Sequence, residues 1–139
     1  MRIVLDTNVL VSALLHPGSK PARVLQACFS GQATVLLDSR ILREYATVLA
    51  RPKFRIPPEI VKEVLGILLG SGEFVAAEPW PGTVPDPGDL PFLEVAVSGQ
   101  AEAVVTGNAR DYPPAPLHPT KVLDPAAFLA LLERPPTRR

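Results

Sequence analysis

The stretch Arg2-Ile3-Val4-Leu5-Asp6-Thr7-Asn8-Val9-Leu10 decides the fold. Its apolar run is short, nearly continuous and closed by an acid, the pattern of a strand buried on both faces of a parallel sheet. The rest of the chain supplies the alternation such a sheet needs. Thr7 to Leu15 and Lys20 to Ser30 read as helices broken at Pro17-Gly18, with Val24, Leu25, Cys28 and Phe29 spaced to share one face. Ala33 to Leu37 reads as a second strand. Asp38-Ser39 offers N-cap chemistry for a helix to Ala50, whose Ile41, Leu42, Tyr45, Val48 and Leu49 form an apolar stripe before Pro52 stops it. Pro57-Pro58 opens another helix, with Ile60, Val61, Val64, Leu65, Leu68 and Leu69 expected to face inward and Gly70 near its end. Phe74 to Ala77 is the expected third strand.

After a proline-rich loop, Asp89 precedes a helix carrying Phe92, Leu93, Val95 and Ala96, ended by Gly99. Ala103 to Thr106 and Lys121 to Leu123 read as short strands, and Asp124-Pro125 opens a last helix through Leu132. This alternation predicts an α/β fold, a three-layer α/β/α sandwich around a mainly parallel sheet with right-handed crossovers.

A length of 139 residues suits one domain, expected over 1–133, with a flexible basic tail at 134–139. Hydrophobic residues make up 47% and charged residues 20%, enough apolar surface for a packed core. The 14 basic and 14 acidic residues cancel, so net charge points to no partner. Their distribution says more. Arg40, Arg43, Arg51, Lys53 and Arg55 cluster around the lone acid Glu44, whereas Glu63 to Asp111 holds eight acids and only Arg110. An acidic region with basic flanks is what a site binding both a cation and a polyanion needs. The single cysteine, Cys28, excludes an internal disulfide and reads as a small buried hydrophobe, so a reducing, cytoplasmic setting is expected. No signal-peptide pattern opens the chain and no apolar run approaches the ~20 residues of a membrane span.

Sites in open α/β sheets form at the carboxyl ends of strands. Asp6 closes the first strand, Asn108 follows the strand Ala103 to Thr106 within Thr106-Gly107-Asn108, and Asp89 stands at a helix start. Glu44 lies on the flank of its helix's apolar stripe. Each has a structural alternative: Asp6-Thr7-Asn8 as a helix cap, Glu44 as the i, i+4 partner of Arg40, and Asp86-Pro87-Gly88-Asp89 as a turn and cap. In combination, several carboxylates and an amide suit a hard cation such as Mg²⁺ or Mn²⁺. Without a Cys/His cluster zinc is disfavoured, and His16 and His118 read as ordinary loop residues.

Four segments in this order resemble the PIN-domain nucleases, and within them the VapC-like toxins of toxin–antitoxin modules. They are Ile3 to Leu10; Ser39 to Leu49 with Glu44; Asp86-Pro87-Gly88-Asp89 followed by Phe92 to Ala96; and Val104-Val105-Thr106-Gly107-Asn108. The resemblance implies a cluster of acids binding one or two divalent metals and cleaving RNA to leave a 5′ phosphate and a 3′ hydroxyl. Asp6, Glu44 and Asp89 match its acidic ligands and Asn108 its fourth position, with Asp86 an extra acid and Thr7 or Asn8 in support. Asn108 is an amide where many members carry Asp; Asp111 is the candidate to compensate. Arg40, Arg43, Arg51, Lys53 and Arg110 are the expected RNA backbone contacts. Implied partners are RNA, a small antitoxin and a second copy of the chain, docked through the apolar helices Pro58 to Leu69 and Ala126 to Leu132. A haloacid-dehalogenase-like phosphatase is disfavoured because Asn8 replaces its second Asp. The rival from another class is a catalytically silent PIN-like protein-binding module.

Overall fold

The structure, a computed structural model, describes residues 1–112 and 120–134. Its strands are β1 (Arg2–Leu5), β2 (Thr34–Leu37), β3 (Glu73–Phe74), β4 (Ala103–Val105) and β5 (Lys121–Leu123). Its helices are α1 (Thr7–Leu15), α2 (Lys20–Phe29), α3 (Ser39–Leu49), α4 (Pro58–Ser71), α5 (Leu90–Ser98) and α6 (Pro125–Glu133). Three single 3₁₀ turns, Pro52–Phe54, Pro87–Asp89 and Ala109–Asp111, are additions that the sequence reading lacked.

The sheet order is β3-β2-β1-β4-β5 and every pairing is parallel. As the expected both-face-buried strand, β1 lies at the centre, with Ile3, Val4 and Leu5 fully buried. The chain steps from β1 outward to β3, then returns to β4 on the other side of β1. Right-handed crossovers running in opposite directions place their helices on opposite faces. Helix α5 accordingly covers β1, β2 and β4, while α2 packs with α1, α4 and α6, so the α/β/α layering holds.

Capping chemistry fixes the helix starts. Asp38 accepts from the Ile41 amide at 2.9 Å and Asp124 from the Ala127 amide at 2.7 Å, as their N-cap positions require. Gly99 ends α5 where a Cβ would meet the Leu36 side chain at 2.9 Å, so a larger residue there would push that side chain aside.

Two expectations need correction. The third strand is Glu73–Phe74 rather than Phe74 to Ala77, because this edge element has only β2 to pair with and the ladder ends at Val75 N–H to Leu37 O. On α4, Ile60 and Leu69 point outward, 41% and 52% exposed. At 3.6 residues per turn, Val61, Val64 and Leu68 form one narrow stripe, and Ile60 and Leu69 fall on its two flanks. Cys28 is buried as expected, and burial pushes its thiol up to about 12, so it stays protonated and inert. Among the described residues no helix is long and apolar enough to cross a membrane.

Candidate active site

The strand order reverses direction between β1 and β4, and their carboxyl ends open the crevice where such sheets bind ligands. Leu5 pairs with Val105, so the next residues, Asp6 and Thr106, end side by side. The Asp6 amide donates to Val105 O at 2.9 Å, and Thr106 Oγ1 donates to Asp6 Oδ2 at 2.7 Å. Tyr112 OH donates to the same oxygen at 3.2 Å. Asp6 holds the N-cap position of α1, but its side chain makes no well-aligned capping hydrogen bond, and its closest donors are the two hydroxyls. Only 7% of Asp6 is exposed, and burial raises its pKa above the ordinary carboxylate value. The Thr106 and Tyr112 hydroxyls and the Thr7 and Asn8 amides oppose that rise without cancelling it. Burial, and next the negative charges of Asp6 and Asp89, push the Tyr112 phenol far above its usual range and keep it a neutral donor.

Glu44 arrives from α3. Thr7 Oγ1 donates to Glu44 Oε2 at 2.8 Å, tying the carboxylate to the residue beside Asp6. Its neighbour Tyr45, fully buried, donates its hydroxyl to Leu5 O and anchors α3 over the end of β1. The alternative pairing of Glu44 with Arg40 is not formed. Arg40 instead reaches Asp38 and Glu94, each at 2.7 Å, and Glu94 also accepts from the Trp80 amide at 2.9 Å. Arg40 therefore clamps α3 to α5 rather than standing open to a polyanion.

Asp6, Thr7, Asn8 and Glu44 line a cleft of about 440 Å³. Val11, Val48, Arg51 and Phe54 complete its walls. Neither Asp6 nor Glu44 has a basic partner among the described ion pairs. A larger hollow of about 560 Å³ lies between α2 and α6, but it is crossed by the Arg23 to Glu133 ion pair and collects no carboxylate cluster, so chemistry selects the smaller cleft. Asn8 turns its oxygen to the Gly107 amide at 3.1 Å and pins the segment after β4.

The other expected metal-ligand positions are not among the residues that line this cleft. Asp89 is half-buried at the start of α5, near enough for Tyr112 to feel its charge, but does not line the cleft. Asp86 is exposed and caps the turn Pro87–Asp89 by accepting from the Gly88 amide at 2.9 Å. Asn108 is exposed, its amide donating to Thr106 Oγ1 at 3.0 Å. Among the described residues no three His, Cys, Asp or Glu side chains converge closely enough to hold a metal. The Asp111 side chain, His118 and residues 135–139 lie outside the described residues. Of the bases, Arg51 enters the cleft, Lys53 Nζ lies 5.2 Å from the Phe54 ring centroid, and Arg43 and Arg110 are exposed. Thr106 as a partner of Asp6, and Tyr112 and Phe54 altogether, were missed. Thr106 could have been found by aligning the ends of β1 and β4; no local signal marks Tyr112.

A parallel α/β sheet with paired carboxylates at its switch point defines a class of acidic-site domains. Residues 2–110 match the family model described as PIN domain, and the chain belongs to the PIN-domain family. Among solved structures, the crystal structure of VapBC2 from Rickettsia felis bound to a DNA fragment from their promoter contains a chain of similar fold. The TM-score is 0.60 at 18% identity, covering 89% of this chain and 98% of that one. No curated protein sequence matches the chain.

Proposed function

We propose that this chain is a ribonuclease dependent on Mg²⁺ or Mn²⁺ and the toxin of a toxin–antitoxin pair. The observation that carries the reading is Asp6, a buried carboxylate at the end of the central strand with no ion pair among the described residues, with Glu44 in the same cleft. Their oxygen donors suit a hard cation, and Mg²⁺ commonly needs only one or two protein carboxylates because it keeps several waters. That tolerance fits a site with no closed set of three acids among the described residues.

Asp6 and Glu44 would hold the cation, which when bound supplies an acidified water and stabilises charge on the phosphate. The Thr106 and Tyr112 hydroxyls orient the Asp6 carboxylate, and the Thr7 hydroxyl orients that of Glu44. Arg51 offers a guanidinium to the substrate phosphate. Asp89 adds its charge beside Tyr112, and Asn108 is joined to Asp6 through the Thr106 hydroxyl. RNA rather than DNA and the antitoxin are carried by the sequence resemblance, with which the fold likeness to a chain of the Rickettsia felis VapBC2 complex agrees, and the cytoplasmic setting by the lone buried Cys28. The exposed Ile60 and Ile67, two turns apart on one face of α4, give a second copy an apolar patch to dock on.

The test is incubation of end-labelled single-stranded RNA with wild type and Asp6→Asn in Mg²⁺, Mn²⁺ and EDTA. Wild type with metal should cleave, leaving 5′ phosphates, and both controls should leave RNA intact. The silent protein-binding reading draws on the absence of a three-acid group among the described residues. It wins if wild type leaves RNA whole and its melting midpoint ignores Mn²⁺.

A further inference from the structure

Beside Arg51, one wall of the cleft carries an aromatic ring, Phe54, that metal-assisted hydrolysis leaves unused. Arg51 leads from α3 into the tight turn Pro52–Phe54, which Arg55 closes in the left-handed conformation at φ 54°. Pro52 fixes its own φ, and the Phe54 and Arg55 amides bond back to Arg51 O and Pro52 O, each at 3.1 Å. This short, internally bonded turn presents Arg51 and Phe54 to the cleft beside Val11 and Val48. Arg51 is exposed and has no ion pair among the described residues, although Glu44 lines the same cleft. Phe54 is half-buried, with the Lys53 ammonium 5.2 Å from its ring centroid.

One cleft thus joins paired carboxylates, a cation without a protein partner and an aromatic ring on an aliphatic floor. A nucleotide divides its chemistry in the same way, into a phosphate that attracts guanidinium and a flat base that stacks on aromatic rings. We infer that Arg51 and Phe54 form a subsite for one unstacked nucleotide beside the scissile phosphate. Phe54 packs against the base and Arg51 takes the phosphate. A base reaches the ring only when it is free of a duplex stack, so the subsite selects single-stranded RNA over double-stranded RNA. This inference rests on the ribonuclease reading and adds to it the residue that receives a base, Phe54.

The test measures anisotropy of a short fluorescein-labelled single-stranded RNA of mixed sequence, and of its duplex, against Asp6→Asn protein, which leaves the probe uncut. In that background Phe54→Leu should weaken single-strand affinity roughly tenfold while Phe54→Trp retains it, because stacking needs a ring and not mere apolar bulk. Arg51→Gln should weaken single-strand binding and lower the slope of log affinity against log salt by roughly 0.7. Duplex binding should stay weak throughout, and melting midpoints should hold to within a few degrees. The subsite is overturned if Phe54→Leu binds the single strand as its parent does, or if single-strand and duplex affinities fall together. Wild-type cleavage alongside either of those results sinks the subsite alone; no cleavage and no binding by any variant sinks the ribonuclease reading with it.

Discussion

Asp6 and Asp86 are both acids that end an extended segment before a helical turn, yet the fold uses them oppositely. Asp6 is 7% exposed, makes no well-aligned side-chain cap, and holds two hydroxyl donors that reach it from distant segments. Asp86 is exposed and caps its own turn through the Gly88 amide at 2.9 Å. The difference is the strand beneath. A central, doubly covered strand forces its terminal carboxylate into a low-dielectric crevice, where its charge costs free energy until a cation meets it. A surface loop leaves its carboxylate hydrated and free to satisfy a local amide.

The largest effect that would break this contrast is on cleavage. Asp6→Asn or Glu44→Gln should lower the rate by at least about a hundredfold, the size expected when a metal-holding carboxylate is lost, whereas Asp86→Asn should stay near wild type in the same assay. Next comes the strut between the helices that carry Glu44 and follow Asp89. Arg40→Met leaves Glu94, 11% exposed, without its ion pair. That loss should cost roughly 1–3 kcal/mol and lower the melting midpoint by several degrees. A midpoint unchanged by Arg40→Met would return Arg40 to the set of solvated bases.

A smaller effect sharpens the burial argument through pH. Because the folded-state pKa of Asp6 is raised, the folded protein binds that proton more tightly than the unfolded chain. Its contribution to stability is present below the unfolded carboxylate pKa of about 3.9 and is lost as pH rises through the raised folded value. In EDTA, Asp6→Asn should therefore match wild type near the acid end of the range and melt a few degrees higher at neutral pH. Equal midpoints at neutral pH would show that the Thr106 and Tyr112 hydroxyls fully offset the burial. The smallest effect belongs to Asp86→Asn, which keeps an N-cap side chain and should move the midpoint by less than about one degree.

How much of this was legible in the sequence follows from the range of the interactions. The apolar run of β1 and its closing acid announced a buried central strand because both-face burial leaves no room for alternation, and the caps at Asp38 and Asp124 are local chemistry. Glu44 could be placed on its helix, but its release from Arg40 depends on Glu94, 54 positions away from Arg40. The donors to Asp6 stand 100 and 106 positions along the chain, so Thr106 and Tyr112 became partners only once β4 lay beside β1. The outward Ile60 and Leu69 of α4 show the same limit from the other side. Periodicity names the residues that could be buried, and the width of the neighbouring surface decides which of them are.

The most direct measurement is calorimetric titration of Mn²⁺ into wild type, Asp6→Asn and Glu44→Gln. Saturable binding to wild type that is lost in Asp6→Asn and weakened in Glu44→Gln is the expected result. Equal binding by all three proteins, or none by wild type, would contradict the assignment of this cleft as a cation site.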